Sequence, residues 1–508
     1  MTARDKSFIW TVIWFLLGLL LVFSTAYFNP GVFALDDYTE NIFRIFPTDR
    51  RSFLSILSTR SYRNPLPQLY LFSFGQVLDF LKIQVPEMQI RVVMGMLGVL
   101  NLSVLFYALP RIWEELLPEY PKDKAILYPL ISFFSLAPFL YTRLMFETLC
   151  IPYFTLFIFF LVRYQKCSSW GSLALGMLFL ALASLFRPHL GVCALVPFFL
   201  VLQKRSFLEF FVWVLICGSL FVLTGLFDWV FFGRLHDSLL QYIEYNLHHS
   251  SEFGVSHPFV YVGTFLILSF PPTFFYKWSQ ETWSKLSKMR LIFGMGALFI
   301  LAHSLVPHKE ERFIIPLLPL FYLTITAFLS DLWNSKRWVR LGYFLSLNFI
   351  FLFLSGFQET QKAVLDLAHY LDHSKILHIK DFERGTVLFP QAYMKREVSY
   401  EKYTLPFSML SYDSMDCRNA FLMNEEVYQS LGKRMSDLGV VAFFEPSLGD
   451  RLLIRLNPRQ NRRKDKLYLL QHKRCVGNFS KTCHLARSLS PSTPEPPHFF
   501  GHLDLVLW

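Results

Sequence analysis

Long apolar runs separated by short polar turns dominate residues 1–357. The first run, Phe8 to Tyr27, has about 20 residues, enough to cross roughly 30 Å of hydrocarbon as a helix. With no small-residue cleavage site after it, this run predicts a retained signal anchor with a cytoplasmic N-terminus. Further runs begin near Ile90, Ala125, Thr148, Trp170, Leu190, Phe207, Phe259, Leu291, Phe313 and Leu341. Together they predict about eleven membrane-spanning helices.

The basic residues between these runs predict which loops face the cytoplasm. If the N-terminus is inside, four consecutive inside loops are basic, as the positive-inside rule expects. These loops contain Arg163 and Lys166, Lys204 and Arg205, residues 277–290, and residues 336–340. The first outside loop, residues 28–89, is also basic. Long loops cross membranes regardless of charge, so this loop is either simply solvated or an anion site for a lipid phosphate.

Hydrophobicity drops after residue 357, and residues 358–508 show mixed helix and strand patterns. Residues 439–444 and 467–470 have the apolar, β-branched and aromatic composition of strands. The pattern predicts a small mixed α/β soluble domain, which span parity places outside. In an oxidising compartment Cys475 and Cys483 are candidates for a disulfide. Asn478 begins a glycosylation sequon that would be used in a eukaryotic lumen.

Composition excludes a soluble globular protein. Hydrophobic residues make up 53% of the chain, aromatic residues 18% and charged residues only 17%. The chain contains 56 Phe, and its mean hydropathy is +0.36. The net charge of +11 lies in short clusters between apolar runs, so the predicted partners are membrane lipids and not nucleic acid. The seven Cys lack paired CxxC spacing, and neither a metal nor a cofactor is predicted.

An acidic segment directly follows the first span. Asp36, Asp37 and Glu40 lie within five residues near the membrane, where carboxylates are costly unless they have a function. One interpretation is a general base that deprotonates an acceptor hydroxyl. The other is a helix cap, in which Asp36 or Asp37 accepts hydrogen bonds from backbone N–H groups.

A second polar segment on the same predicted side is the loop 246–258. Gly254 and Pro258 indicate a turn, and His257 stands at the membrane edge as a binding candidate. His248 and His249 lack the i, i+4 spacing of a helical metal site, so no metal is expected here.

The third segment places five charged or titratable residues, residues 308–312, between two apolar runs. His308, Lys309 and Arg312 would stabilise a phosphate by charge-assisted hydrogen bonds, with Glu310 among them. Alternatively, these side chains snorkel to the interface and pair with each other.

Smaller polar clusters fall on the same side. Arg187 with His189 interrupts two spans, and Arg143 with Glu147 marks another outer turn. Arg60 and Arg63 lie in the first loop. Their shared side is stronger evidence of a site than any one cluster.

The segment from His308 to Phe313 resembles the HKExRF motif of mannosyltransferases of glycosyltransferase family 22, which is also followed by prolines. That family includes enzymes that extend glycosylphosphatidylinositol precursors and the lipid-linked oligosaccharide of N-glycosylation. Further matches occur in the family's order from Ala34 to Leu329: Asp36-Asp37, Arg60-Ser-Tyr62, Gln89-Ile-Arg91, Phe146-Glu-Thr148, Arg187-Pro188 and residues 253–258. The chain departs from the family at Ala34-Leu35, where His-Pro is usual, and at Phe259, where Trp is usual.

This resemblance implies an all-α polytopic membrane protein of the GT-C type, without cofactor. It implies a polyprenyl-phosphate sugar donor, expected to be dolichyl-phosphate mannose, and a glycolipid or lipid-linked glycan acceptor. Asp37 or Asp36 would act as the base of an inverting displacement. The donor phosphate would be held by Lys309 and Arg312, with Glu40, Arg60, Arg63, Arg187, His257, His308 and Glu310 as further binding residues. The membrane would be that of the endoplasmic reticulum in a eukaryote, or the plasma membrane in a bacterium.

The residues alone are compatible with two other functions. A transporter or flippase of lipid-linked glycans would also need many spans with intramembrane charge. Transporters, however, are built from repeated halves with broken helices near the bilayer midplane, and no such repeat is visible here. A non-catalytic membrane scaffold gives no reason for the Asp36-Asp37 and His308–Arg312 clusters.

Overall fold

The computed structural model describes residues 3–32, 41–42, 66–248, 255–269, 278–306, 308–381, 390–402, 416–431, 437–456 and 464–476. The chain divides into two compact units, Met1–Thr360 and Gln361–Trp508. We call them the membrane unit and the C-terminal unit.

All regular secondary structure in the described residues of the membrane unit is helical. Its α-helices are α1 (Ala3–Phe28), α2 (Leu66–Phe80), α3 (Pro86–Leu116), α4 (Lys124–Phe133), α5 (Ala137–Thr142), α6 (Phe146–Leu149), α7 (Ile151–Cys167), α8 (Trp170–Phe186), α9 (Leu195–Lys204), α10 (Phe207–Phe232), α11 (Asp237–His248), α12 (Val260–Ser269), α13 (Gln280–Lys288), α14 (Arg290–Ser304), α15 (Leu318–Asn334) and α16 (Trp338–Gly356). Two 3₁₀-helices, Pro188–Ala194 and Glu311–Leu317, interrupt the series.

Among the described residues, six helical stretches are long and apolar enough to cross a bilayer. They are Phe8–Phe28, Pro86–Leu116, Phe146–Cys167, Phe207–Phe232, Glu311–Asn334 and Trp338–Gly356. The pair α13 and α14, bent by 70°, makes a seventh if it forms one broken span. Other predicted spans correspond to shorter apolar helices, such as α4 and α8. The polytopic helical fold is confirmed, whereas the count of about eleven spans stays a prediction.

Local sequence explains where several helices begin and end. The hydroxyl of Ser206 accepts a hydrogen bond from the Glu209 N–H and caps the start of α10. That helix ends at Gly233, whose φ of +73° suits a residue without a Cβ. Pro319 occupies the first turn of α15, where its missing N–H is tolerated.

The core of the membrane unit forms around α15, in which nearly every residue is buried. This helix packs against α4 and α16 and also contacts α3, α7 and α14. A hydrogen bond between the Tyr141 and Tyr322 hydroxyls joins α5 to α15, and Tyr141 also donates to the Ile131 carbonyl at 2.9 Å. These buried hydroxyls therefore have partners where water is excluded.

The C-terminal unit contains a five-stranded mixed sheet in the order β2-β1-β3-β5-β4. The strands are β1 (His378–Asp381), β2 (Ser399–Lys402), β3 (Asn419–Asn424), β4 (Leu438–Phe444) and β5 (Leu467–His472). Strands β2, β1 and β3 are parallel, and β5 is antiparallel to both β3 and β4. Its α-helices are α17 (Lys362–His373), α18 (Glu425–Leu431), α19 (Leu448–Leu456) and α20 (Lys473–Val476). The two strands predicted from sequence are confirmed as β4 and β5.

The candidate disulfide between Cys475 and Cys483 is wrong. Cys475 is bonded to Cys417, with the two Cα atoms 5.5 Å apart. Cys417 precedes β3 and Cys475 follows β5, and the antiparallel register pairs Phe421 with Leu470. Strand pairing therefore brings together two cysteines 58 residues apart. Cys483 lies outside the described residues.

We predict that Cys417→Ser weakens the C-terminal unit by about 4 kcal/mol, since the bond closes a long loop and restricts the unfolded chain. The measurement is hydrogen exchange of β3 and β5 in the full-length protein, with electrophoretic mobility before and after reduction confirming the bond. Cys167→Ser, which removes an exposed free thiol of the membrane unit, is the control. Unchanged protection of β3 in Cys417→Ser would contradict the prediction.

Candidate functional site

A 3₁₀-helix carries the second half of the predicted cationic segment. Residues Glu311–Leu317 form this turn, and Pro316 within it and Pro319 after it cannot donate to a regular α-helical ladder. The turn packs against α6, α7 and α12. This packing places Arg312 beside the Phe146-Glu-Thr148 segment of α6.

One buried carboxylate holds two arginines from distant parts of the chain. The Glu147 side chain is completely buried and forms ion pairs with Arg187 and Arg312. Arg312 Nε lies 3.8 Å from Glu147 Oε1. Arg187 is 6% exposed and Arg312 8% exposed, so all three charges lie out of contact with bulk solvent. Because an ionised carboxylate is costly to bury alone, the guanidiniums and Glu147 depend on each other.

The same cluster extends through Glu310. Its carboxylate pairs with the guanidinium of Arg312 and lies 2.8 Å from Nε2 of His308. The ring of Phe313 lies under both arginines, with Arg187 Cζ at 5.1 Å and Arg312 Cζ at 5.5 Å from its centroid. Cation–π contacts of this kind favour guanidinium groups in a partly desolvated place.

Lys309 adds a third buried cation. Its side chain is 4% exposed, and Nζ donates to the carbonyls of Val306 at 2.6 Å and Ser256 at 3.3 Å. Burial lowers the pKa of the Lys309 ammonium. Ser256 immediately precedes His257, so the predicted His257 loop meets the cationic loop here. The His257 side chain itself is exposed.

Both flanks of the acidic segment are anchored beside this cluster. Arg143 donates to the carbonyls of Asn29 and Gly31, each at 2.5 Å. A Cβ at Gly31 would overlap the Thr360 carbonyl oxygen, so only glycine fits at that position. On the other flank, the Asn41 amide donates to the Leu144 carbonyl at 2.5 Å. The chain therefore leaves and returns next to residues 143–144, just before Glu147.

An apolar cavity of about 280 Å³ opens beside Arg187. Helices α8, α10 and α11 supply most of its wall, with apolar side chains such as Leu180, Phe186, Ile216, Leu220 and Leu239. Polar groups in the wall are Ser184, Arg187, Thr224, Asp228, His236, Ser238 and Tyr242. An apolar cavity with a few polar groups is typical of a site that binds a largely apolar ligand.

The structure brings together several residues that sequence alone predicted as a site. Arg187, His308, Glu310 and Arg312 form one connected cluster, and Lys309 belongs to the same loop. The other predicted residues, Asp36, Asp37, Glu40, Arg60 and Arg63, lie outside the described residues.

Glu147 is not among the site residues predicted from sequence, although it is the centre of the cluster. Two signals were available: Glu147 lies with Arg143 at a predicted outer turn, and it is the acid of the Phe146-Glu-Thr148 segment that resembles the family. As for metals, the described part of the chain contains no group of three or more His, Cys, Asp or Glu side chains placed to hold an ion.

Residues 53–408 match the profile of the Alg9-like mannosyltransferase family. Among curated relatives, the GPI mannosyltransferase 3 of Debaryomyces hansenii is 30% identical over 162 residues, 30% of this chain and 28% of the relative. The GPI mannosyltransferase 3 of Trypanosoma brucei brucei is 26% identical over 200 residues, 37% of this chain and 35% of the relative. The matched segments thus span about a third of the length of these relatives.

Solved structures show the same fold. ArnT from Cupriavidus metallidurans bound to undecaprenyl phosphate superimposes with a TM-score of 0.58 at 10% identity, covering 93% of this chain and 99% of that chain. Its apo state gives the same TM-score at 11% identity. The resemblance in fold confirms the GT-C architecture expected from sequence. Since the family profile also covers well over half of the residues, the chain belongs to the Alg9-like mannosyltransferase family.

Proposed function

We propose that this protein is an inverting mannosyltransferase that moves mannose from a polyprenyl-phosphate carrier to a glycolipid acceptor. The observation that carries the proposal is the buried cluster in which Glu147 holds Arg187 and Arg312. A phosphate leaving group needs such fixed positive charge as the glycosidic bond breaks. The family match favours this enzyme over the transporter alternative.

The carboxylate of Asp37 or Asp36 is the general base in this proposal. It takes the proton of the acceptor hydroxyl while the hydroxyl oxygen bonds to the anomeric carbon. The bond between that carbon and the phosphate oxygen breaks, and its electron pair leaves with the phosphate. Support comes from the anchored flanks, because Gly31 and Asn41 hold the ends of this segment against residues 143–144. The base and the cations would thereby share one site.

The leaving phosphate is received by Arg187, Lys309 and Arg312. Arg187 and Arg312 both pair with Glu147, and Lys309 belongs to the same loop as Arg312, so three buried cations lie in two segments that meet at one carboxylate. A charge-assisted hydrogen bond to a guanidinium or ammonium is stronger than a neutral one, especially away from water.

The first part of the carrier chain lies in the cavity beside Arg187. The volume of about 280 Å³ is near the lower end of the ~300–1,000 Å³ common for ligand sites, so the rest of the chain would remain in lipid. ArnT was solved with undecaprenyl phosphate bound, which makes a polyprenyl phosphate a suitable carrier to test.

We place the reaction on the extracytoplasmic or luminal side. Two independent observations support this side: the basic inside loops, and the Cys417–Cys475 disulfide, which forms in oxidising compartments. For the acceptor, the curated relatives are named GPI mannosyltransferases, so a glycosylphosphatidylinositol precursor is the first candidate.

The proposal is tested with membranes that contain the protein. Radiolabelled dolichyl-phosphate mannose is supplied with glycosylphosphatidylinositol precursors or lipid-linked oligosaccharides, and the labelled lipids are separated chromatographically. Transfer to one acceptor class supports the proposal and identifies the acceptor. No transfer to either class by folded protein, with the donor intact, would overturn it.

Replacing the base should abolish turnover without affecting folding. We expect Asp37→Asn or Asp36→Asn, whichever residue is the base, to lower kcat by about 10²–10⁴-fold, because the amide cannot take a proton. The measurement is steady-state transfer of mannose at equal amounts of folded protein. Asp79→Asn, which changes an exposed carboxylate in α2, is the matched control. Full activity in both Asp36 and Asp37 variants would exclude the pair as the base.

Removing the charge of Glu147 should destabilise the protein in a way that an anion repairs. In Glu147→Gln two buried guanidiniums lose their shared carboxylate, and breaking a buried pair costs about 3–5 kcal/mol. Bound phosphate supplies negative charge again, so dolichyl phosphate should raise the Tm of Glu147→Gln more than that of the wild type. Glu114→Gln, at the other end of the neighbouring helix α3, should show no such difference. Equal shifts in all three proteins would argue against anion binding at the cluster.

The lowered pKa of Lys309 predicts a limit at alkaline pH. A lysine with a lowered pKa loses its charge at a lower pH than an exposed lysine, so donor binding should weaken as pH rises through that pKa. In Lys309→Arg the charge persists, and the alkaline fall of kcat/KM should move to higher pH. Lys122→Arg, an exposed lysine, serves as control. Coincident pH profiles for wild type and Lys309→Arg would rule out Lys309 as the titrating group.

A further inference from the structure

Two stacked imidazole rings, those of His189 and His303, lie next to the cation cluster. Neither ring has a role in the proposed reaction. The rings of His189 and His303 have centroids 4.5 Å apart and an interplanar angle of 12°. His189 follows Arg187 by two residues, in the 3₁₀-helix Pro188–Ala194. His303 is in the last turn of α14, shortly before the loop with Lys309 and Arg312. The stack therefore joins the two segments that supply the cations.

Each ring is also held at a polar edge. Nε2 of His189 lies 2.8 Å from the hydroxyl of Tyr242, a residue of the cavity wall. Nδ1 of His303 donates to the carbonyl of Phe299 at 2.9 Å. Since a carbonyl only accepts, this nitrogen carries a proton. Both rings are thus fixed in orientation as well as in place.

Phe313 connects the stack to the guanidiniums. Its ring centroid is 6.5 Å from that of His303, and both Arg187 and Arg312 lie over the same phenyl ring. His303 is 4% exposed, so its ring has almost no surface with which to touch a substrate. Any influence of His303 on the reaction must pass through its neighbours.

We propose that the His189–His303 stack is a positioning element that sets the separation between Arg187 and the loop carrying Lys309 and Arg312. This inference rests on the proposed function and names a residue pair that determines how tightly the donor phosphate is held. A densely packed aromatic contact transmits a small displacement, because such interiors have few voids to absorb it. Losing the stack would let the 3₁₀-helix and α14 move apart, and the cations with them.

The first test is steady-state kinetics of His303 variants with dolichyl-phosphate mannose as the varied substrate. His303→Ala should raise the KM for the donor about 10-fold with kcat changed by less than about 3-fold. His303→Phe keeps a flat ring and should recover most of the loss, whereas His303→Asn keeps a donor for the Phe299 carbonyl but not the ring and should not. Leu301→Ala, exposed to the surroundings on the same helix, is the control. If His303→Ala does not fold, the contrast between Phe and Asn decides the question.

The second test asks whether His303 acts through Arg187. In a double-mutant cycle with Arg187→Lys, adding His303→Ala should change the donor KM by less than about 2-fold. The reason is that the contact between residue 187 and the donor phosphate, which the stack positions, is already impaired by Arg187→Lys. If His303→Ala changed the donor KM by the same factor in the wild type and in Arg187→Lys, the inference would be overturned. An unchanged donor KM in His303→Ala with only a lowered Tm would also overturn it.

Failure of the proposed function is distinguished from failure of the positioning role by the wild-type protein, which would then transfer no mannose. The positioning role is then decided by the Tm shift with dolichyl phosphate alone, which should need about 10-fold more ligand in His303→Ala than in the wild type. An identical dependence on ligand in both proteins would reject it.

Discussion

The burial of Glu147 is the constraint on which the site depends. A carboxylate with no exposed surface is tolerated in a protein only when cations and hydrogen bonds replace its water. Here the cations are Arg187 and Arg312, which follow Glu147 by 40 and 165 residues in the chain. These three segments must come together for the membrane unit to fold, and in doing so they assemble the cluster that we propose binds the donor phosphate.

The dependence of the arginines on Glu147 explains how guanidinium groups can be held in fixed positions close to a membrane surface. Unpaired arginines there would move toward water, because snorkelling relieves the desolvation of the guanidinium. Glu147 and the Phe313 ring hold the guanidiniums in place. Since no reorganisation is then needed when a phosphate develops charge, the proposed transition state is stabilised by groups that already point the right way.

The apolar cavity and the cation cluster meet at Arg187, which belongs to both. A ligand with an apolar chain and an anionic head fits such a junction better than either kind of group alone. The His189–His303 stack lies at the same junction and touches the cavity wall through Tyr242. In the proposed reaction, the cation cluster and the binding site of the carrier would therefore be connected through a few packed rings.

Much of the site could be predicted from sequence because its residues are contiguous. Residues 308–312 form one loop, and a run of charge between apolar helices is visible without a structure. Glu147 was not assigned, because a single acid in an apolar stretch has no distinguishing pattern until its partners are known. The candidate disulfide was wrong for a related reason: Cys475 and Cys483 both lie in the polar C-terminal part of the chain, whereas strand register brings Cys475 to Cys417.

The sequence by itself determined that the chain is a helical membrane protein with a small C-terminal domain. The length of an apolar run and the composition of a strand are local properties of the sequence. Long apolar runs form helices in a bilayer because their backbone polar groups must hydrogen-bond within the segment. Only the tertiary structure decided which charges share a carboxylate, which cysteines bond and which rings stack. Those pairings depend on distances between remote segments, and packing alone sets such distances.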